Sequence, residues 1–295
     1  MTAREEGFLL LSSSLGNPDR KCLTTAQLRS LAQRIAIASH PAEDRELTAA
    51  DLTAIGYGSE MAERILNLLD DTALLKHYLQ KGSRNGCIPL TRVSDGYPVR
   101  LRQRLGLDSP GVLWAKGDLS ILSKPAVALV GSRNIAPKNK AFAAKVGCET
   151  AKQGCVLVSG NARGADRTAQ QACLNAGGQV ISIVADALAL QIPQPNILYL
   201  SEEGFDCAFS SVRALSRNRV IHALGEKTLV AQSDLATGGT WSGTMQNLRG
   251  GWSPVFCFRD GSEASLQLEQ LGAQLIGLSA LEDLSSLKDA HFSLF

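Results

Sequence analysis

A chain of 295 residues, 44% hydrophobic and 20% charged, has room for one large domain and a smaller one, with the composition of an ordinary soluble globular protein. Its formal net charge of +2 excludes an overall coat of positive charge but leaves room for a local basic pocket. No apolar run approaches a membrane span, and the charged start from Met1 to Gly7 precedes no long apolar core, so neither an anchor nor a signal peptide is expected.

Residues 1–80 read as short helices. Thr24 and Thr25 precede Leu28, Leu31 and Ile35 at helical spacing and offer an N-cap. Thr48 opens a second helix with Leu52 and Ile55. After the turn Gly56-Tyr57-Gly58, Ser59 opens a third with Met61, Ile65, Leu66 and Leu69. Helix, glycine turn, helix resembles a helix-hairpin-helix or sterile-alpha-motif-like bundle. A plain accessory unit is preferred over autonomous DNA binding. The stretch from Lys81 to Gly86 is polar, contains glycine and reads as a hinge to a second unit over 81–295. A basic group follows: Lys81, Arg84, Arg92, Arg100, Arg102 and Arg104 against Asp95 and Asp108, either a solvated face or part of a binding surface.

From residue 126 onward strands and helices alternate, the mark of an α/β, Rossmann-like, mostly parallel sheet. Strands are expected at Ala126–Val130, Cys155–Ser159, Val180–Val184, Thr228–Ala231, Val255–Phe258 and Gln274–Leu278. Helices are expected at Lys138–Lys152, Asp166–Ala176, Arg217–Leu224, Trp241–Arg249 and Ala264–Leu271, with Gly177-Gly178 closing one of them. There are no internal repeats. The seven cysteines (Cys22, Cys87, Cys148, Cys155, Cys173, Cys207 and Cys257) are odd in number and form no C-x-x-C, so they read as reduced thiols of a cytoplasmic protein.

Two of these strands end in similar turns. Val130 leads into Gly131-Ser132-Arg133, and Val158-Ser159 leads into Gly160-Asn161-Ala162-Arg163-Gly164-Ala165-Asp166. Strand, glycine turn, helix aims backbone N–H groups and a helix N-terminus at a phosphate, and a nearby arginine adds a bidentate grip. The chain is therefore expected to bind a phosphate-bearing ligand. Lys138 and Lys140 open a helix where positive charge opposes the macrodipole, which an anionic partner would explain. Asp166 reads first as an N-cap and second as a support that orients an arginine. Arg213, Arg217 and Arg219 form a second basic group. Residues two apart on a helix do not share a face, so of Arg217 and Arg219 one is expected at the ligand and the other against an acid or the sheet.

Together these segments resemble the DNA-processing protein A family, DprA/Smf. Tyr97-Pro98-Val99-Arg100-Leu101 with Pro110-Gly111-Val112-Leu113-Trp114-Ala115-Lys116-Gly117-Asp118 is similar to its lead-in segment. Val130-Gly131-Ser132-Arg133 is similar to its first phosphate turn, and Ser159–Asp166 to its S-G-x-A-x-G-x-D pattern. Arg217-Asn218-Arg219-Val220-Ile221 is similar to its R-N-R-I-I segment. The resemblance implies a sequence-tolerant single-stranded DNA-binding protein, dimeric, without catalysis or cofactor, that protects incoming DNA and loads a RecA-type recombinase. The residues it assigns to DNA or phosphate are Gly131, Ser132, Arg133, Lys138, Ser159, Gly160, Arg163, Gly164, Arg217, Asn218 and Arg219, supported by Asp166; no metal or membrane partner is implied.

The chain departs from the family pattern. Ala169-Gln170 stands for the usual A-H pair, Pro137-Lys138-Asn139 for a Tyr-Gly, and no winged helix is found before Phe295. Thr237-Gly238-Gly239-Thr240-Trp241-Ser242-Gly243-Thr244 looks as much like the broader nucleotide-binding superfamily. Two other readings follow: a sensor of a small nucleotide signal, and a phosphoribohydrolase. The second needs a glutamate where Asn247 stands, and an amide is no general base. The histidines, His40, His77, His222 and His291, are scattered. Trp241, Trp252, Phe205, Phe209 and Tyr199 are the aromatic candidates for base stacking, although aromatic content is only 5%.

Overall fold

The computed structural model describes residues 1–38 and 47–288; His40 and His291 lie outside them. The chain opens with five helices, α1 (Ala3–Ser12), α2 (Thr25–Ile37), α3 (Ala49–Ala54), α4 (Ser59–Asp70) and α5 (Thr72–Arg84). Thr2, Thr24 and Thr48 each close a capping box on the helix that follows, so three of these short helices carry their own start signal. Leu31, Leu52, Ala62, Ile65 and Leu68 of α2–α4 form a small core of their own. By contrast α1 and α5 turn Leu9, Leu10, Leu75 and Tyr78 into the main core. Tyr78 meets Trp114 edge-on at 5.3 Å and Phe205 at 4.7 Å.

The division expected at 80/81 falls inside α5. Lys81, Gly82, Ser83 and Arg84 are not a hinge; they are the last turn of that helix, packed where a Cβ on Gly82 would lie 2.8 Å from the Trp114 ring. Only Asn85 and Gly86 turn the chain.

Beyond them come β1 (Ile88–Thr91), α6 (Val99–Leu105), β2 (Val112–Lys116), β3 (Ala126–Val130), α7 (Pro137–Lys152), β4 (Val156–Ser159), α8 (Ala165–Asn175), β5 (Gln179–Ile183), β6 (Ile197–Glu202), α9 (Ser211–Ser216), α10 (Asn218–Leu224), β7 (Lys227–Val230), α11 (Gly238–Gly250), β8 (Val255–Phe258), α12 (Glu263–Gln270) and β9 (Gln274–Ile276). The nine strands form one sheet in the order β1-β2-β6-β5-β4-β3-β7-β8-β9. From β6 to β9 every neighbour is parallel; β2 adds to β6, and β1 to β2, antiparallel.

Both faces of the sheet are covered, which is why its central strands read as unbroken apolar runs. Val127 and Leu129 face Phe142, Val146 and Ala169 of α7 and α8; Ala126, Ala128 and Val130 face α6, α10 and α11. The six strands expected after residue 126 are present within two residues at each end. The expectation lacked β1, β2 and β6. No helix among the described residues is long and apolar enough to cross a membrane.

Candidate functional site

The chain leaves β3 in one direction through β4, β5 and β6, then returns to lay β7, β8 and β9 on its other side. In an open α/β sheet such a reversal opens a crevice at the carboxyl ends of the two diverging strands. Here it lies between the turn after β3 and the turn after β7, with a volume of about 380 Å³. Gly131, Ser132, Arg133 and Asn134 form one wall, Asp234 and the start of α11 from Thr237 to Thr240 the opposite one, and Ala162, Asp166, Arg217 and Asn218 the floor.

The turn carrying Arg133 is pinned at several points. Ser132 N–H donates to the Gln232 carbonyl at 3.0 Å. Ser132 Oγ accepts from Asn134 N–H at 3.1 Å, and Gln232 Oε1 accepts from Ala136 N–H at 2.8 Å. Arg133 itself makes no hydrogen bond or ion pair among the described residues. The first-turn N–H groups of α11 face the same space, and its N-cap Thr237 makes no side-chain cap. An exposed guanidinium beside uncapped N–H groups is an arrangement whose chemistry suits an anion.

The second glycine turn supports the floor. Gly164 has φ +88°, and a Cβ there would lie 2.4 Å from the Ser132 carbonyl oxygen, so only glycine lets the two turns close on each other. Asp166 is not the N-cap of α8, which is Gly164. Its Oδ2 accepts from Gly160 N–H at 3.0 Å and Ala162 N–H at 3.2 Å, bracing the turn from within. Burial pushes its carboxyl up to about 6, against the pull of Arg217 and those two N–H groups. Arg217 is 7% exposed and donates from Nη1 to the carbonyls of Gly160 and Ile183. A Cβ on Gly160 would fall 2.6 Å from Arg217 Nη2 and 2.8 Å from Asp166 Oδ2, so glycine is needed for both groups to approach.

Gly131, Ser132, Arg133, Arg217 and Asn218 thus converge on the crevice, Asn218 donating from Nδ2 to the Gly239 carbonyl at 2.9 Å. Gly160 and Arg163 line an adjoining depression with Arg133, Arg167, Asp186 and Phe209; Arg163 reaches Asn134 Oδ1 at 2.9 Å. Four expected contacts are elsewhere. Lys138 points away from the crevice and donates to the Asp260 carbonyl. Ser159 is fully buried and accepts from Gln170 Nε2 at 2.7 Å, the partner supplied by the unusual Ala169-Gln170 pair. Gly164 lies beneath the Ser132 turn. Arg219 is held by Glu202 Oε2 at 2.7 Å and Ser216 Oγ at 2.8 Å. Arg217 and Arg219 do part company, one to the sheet edge and one to an acid.

The remaining basic groups are absorbed in the same way. Arg213 donates to the carbonyls of Ala185, Cys207 and Ala208 at 2.7–2.8 Å. Arg100 and Arg104, on α6, satisfy the terminal carbonyls of α10 at Leu224 and Ala223, at 2.9 and 3.1 Å. Of the aromatic candidates, Phe205 and Tyr199 are core, Trp241 and Trp252 pack on it, and Phe209 is 57% exposed at the adjoining depression. Asn247 is buried, its Oδ1 accepting from Ser253 N–H at 2.9 Å. The expected site lacked Asn134, Asp234 and Thr237–Thr240. The glycine pair after β7 was the available signal, and its place in the site depends on β7 lying beside β3.

This is a Rossmann-like α/β protein with a crevice at its topological switch point, lined by an exposed arginine and a helix N-terminus. Residues 89–285 match the DNA recombination-mediator protein A family, and the chain belongs to it. It is 29% identical over 249 residues to the DNA processing protein DprA of Streptococcus pneumoniae, covering 79% of this chain and 85% of that one. It is 30% identical over 176 residues to the Bacillus subtilis protein of the same name, covering 56% and 57%. The solved Streptococcus pneumoniae structure superposes with a TM-score of 0.66 at 26% identity, over 86% of this chain and 95% of that one. The Helicobacter pylori DprA structure, described for its single-stranded DNA binding mode, gives 0.55 at 27% identity, over 66% and 92%.

Proposed function

We propose that this protein binds single-stranded DNA at the crevice, without catalysing a reaction on it, and hands the strand to a RecA-type recombinase in the cytoplasm. The observation that carries the reading is Arg133: an exposed guanidinium with no partner among the described residues, held by a braced turn opposite the α11 N-terminus. The family membership and the single-strand binding of the Helicobacter pylori relative support the choice of ligand. Gly131, Ser132, Arg133, Arg217 and Asn218 form this phosphate site, with Gly160 and Arg163 on the path beyond it. Phosphate contacts carry affinity and little sequence information, so binding is tolerant of sequence.

Affinity for an oligodeoxynucleotide should therefore fall steeply as salt rises, because bound counterions are released. Arg133→Ala should weaken binding by about 1–3 kcal/mol, the loss of a charge-assisted contact, with no change in thermal unfolding. Anisotropy across a salt series checks both. A salt-independent affinity, or an Arg133→Ala variant that binds like the parent, would sink the assignment, as would tighter binding of free mononucleotides than of oligomers.

The assembly we propose is a homodimer through the β9 end of the sheet. Leu268, Ile276, Leu281 and Leu284 are buried there, while Leu266, Leu271 and Leu278 remain 48%, 42% and 41% exposed beside the edge strand. A symmetric partner covering them would place two crevices on one strand and raise its avidity. Light scattering at micromolar concentration should give twice the chain mass. A monomeric mass, with no gain in affinity as the oligonucleotide lengthens, removes the dimer.

A further inference from the structure

Four charged side chains line the crevice: Arg133, Asp166, Arg217 and Asp234. Two are engaged within the protein. Asp166 holds the N–H groups of Gly160 and Ala162, and Arg217 holds the carbonyls of Gly160 and Ile183. The side chains of Arg133 and Asp234 make no hydrogen bond or ion pair among the described residues, with each other or with anything else; Asp234 accepts only at its backbone carbonyl, from Ser233 Oγ at 3.3 Å. They leave the ends of neighbouring strands, β3 and β7, and stand on opposite walls of one space.

An unpaired carboxylate in a phosphate site repels the ligand at the wall it occupies. It does not serve as a helix cap here. The N-cap of α11 is Thr237, and Asp234 accepts no N–H from that helix, although its Oδ2 stands 4.0 Å from where a Cβ on Gly238 would lie. A crevice with an open cation on one wall and an open acceptor on the other fits a ligand with an anion at one end and hydrogen-bond donors at the other. One nucleotide of a single strand has that character. Its phosphate suits Arg133, and a base edge then meets Asp234. A carboxylate only accepts. Cytosine N4, adenine N6 and guanine N2 offer it amine donors. Thymine and uracil offer a lone ring N–H between two carbonyl oxygens, which a carboxylate repels.

We propose that Asp234 reads one base of the bound strand, favouring a base with an exocyclic amine over thymine or uracil. This rests on the reading of the crevice as a phosphate site for single strands, and it adds a modest preference to an otherwise sequence-tolerant contact.

The test is competition anisotropy at pH 8 with oligo(dC), oligo(dT), oligo(dU) and oligo(U) of equal length, on the parent protein and on Asp234→Ala and Asp234→Asn. The parent should bind oligo(dC) about fivefold tighter than oligo(dT), the low end of what one side-chain contact to a base discriminates. Asp234→Ala should abolish that ratio and strengthen oligo(dT) binding, since a repulsive charge is gone. Asp234→Asn, which keeps the volume, should lower the ratio. Equal affinities for oligo(dC) and oligo(dT) in the parent overturn the proposal. So does a preference that survives in Asp234→Ala. A preference for oligo(U) over oligo(dU) that disappears in Asp234→Ala assigns the carboxylate to a ribose hydroxyl and overturns the base assignment. In each of these cases an intact salt slope and a weakened Arg133→Ala variant keep the phosphate reading. Loss of both of those features overturns that reading and this proposal together.

Discussion

Arg217→Ala should cost about 3–5 kcal/mol of unfolding free energy, the range for removing one partner from a buried, hydrogen-bonded charge arrangement. The guanidinium closes the gap between β4 and β5 by donating to the carbonyls of Gly160 and Ile183, and it faces the Asp166 carboxylate across Gly160. Without it two buried carbonyls lose a donor, and Asp166 keeps a charge that burial disfavours. Arg217→Lys should recover little, because the shorter lysine does not carry its ammonium to where Nη1 meets both carbonyls. The penalty should shrink below pH 6, where a protonated Asp166 no longer needs the compensating charge. Urea unfolding at pH 7.5 and 5.0 checks both parts. A variant as stable as the parent at pH 7.5 would mean that Arg217 does not brace the turn.

That contrast marks what the sequence made legible. The two glycine turns were readable because a β-branched run buried on both faces, a glycine and a following helix form a local pattern. The roles of the arginines were not local. Arg104 ends at Ala223, and Arg217 at Ile183 and Gly160. A chain shows where charge stands but not which carbonyls the fold will bring to it. Most of the two basic groups is consumed in this way, which leaves Arg133 at the crevice. The same reasoning explains the missing half of the site. Asp234 and the α11 N-terminus follow β7, and nothing near residue 234 says that β7 pairs with β3.

Two of the strands that escaped the sequence end in charged residues, which argue against burial. β6 follows Pro193 and Pro195, ends in Glu202 and is followed by Glu203, so it reads as a loop. It is buried between β5 and β2, and its last residue, Glu202, is paired there with Arg219. β2 carries Lys116, whose Nζ reaches the Ala189 carbonyl at 2.9 Å. In each case a charged residue that argues for the surface is satisfied by a partner distant in sequence.

A second large effect is expected in acid, and it comes from beneath the site. His222 on α10 is fully buried, its Nδ1 3.2 Å from both Thr228 Oγ1 and Asn247 Nδ2. Burial pushes its pKa from 6.5 down to about 3. Between those values the unfolded chain holds a proton that the fold refuses, so stability falls as pH drops through that window, by about 3 kcal/mol at pH 4. Asp166 works in the opposite sense. Its folded value of about 6 lies above the ordinary 3.8, so between them the fold holds the extra proton and gains up to about 3 kcal/mol as pH falls. The two nearly cancel in the parent from pH 6 to 4, and each variant should unmask the other. His222→Asn, which does not titrate, should lose about 3 kcal/mol less than the parent between pH 7 and pH 4. Asp166→Asn should lose correspondingly more. Carboxylates such as Asp206 and Asp260, held below the ordinary value by their hydrogen bonds, contribute equally to all three proteins and drop out of the comparison. Urea unfolding across the range reads the differences. Parallel curves for the parent and His222→Asn would show that the imidazole takes up its proton in the fold, and that α11 does not seal it from water.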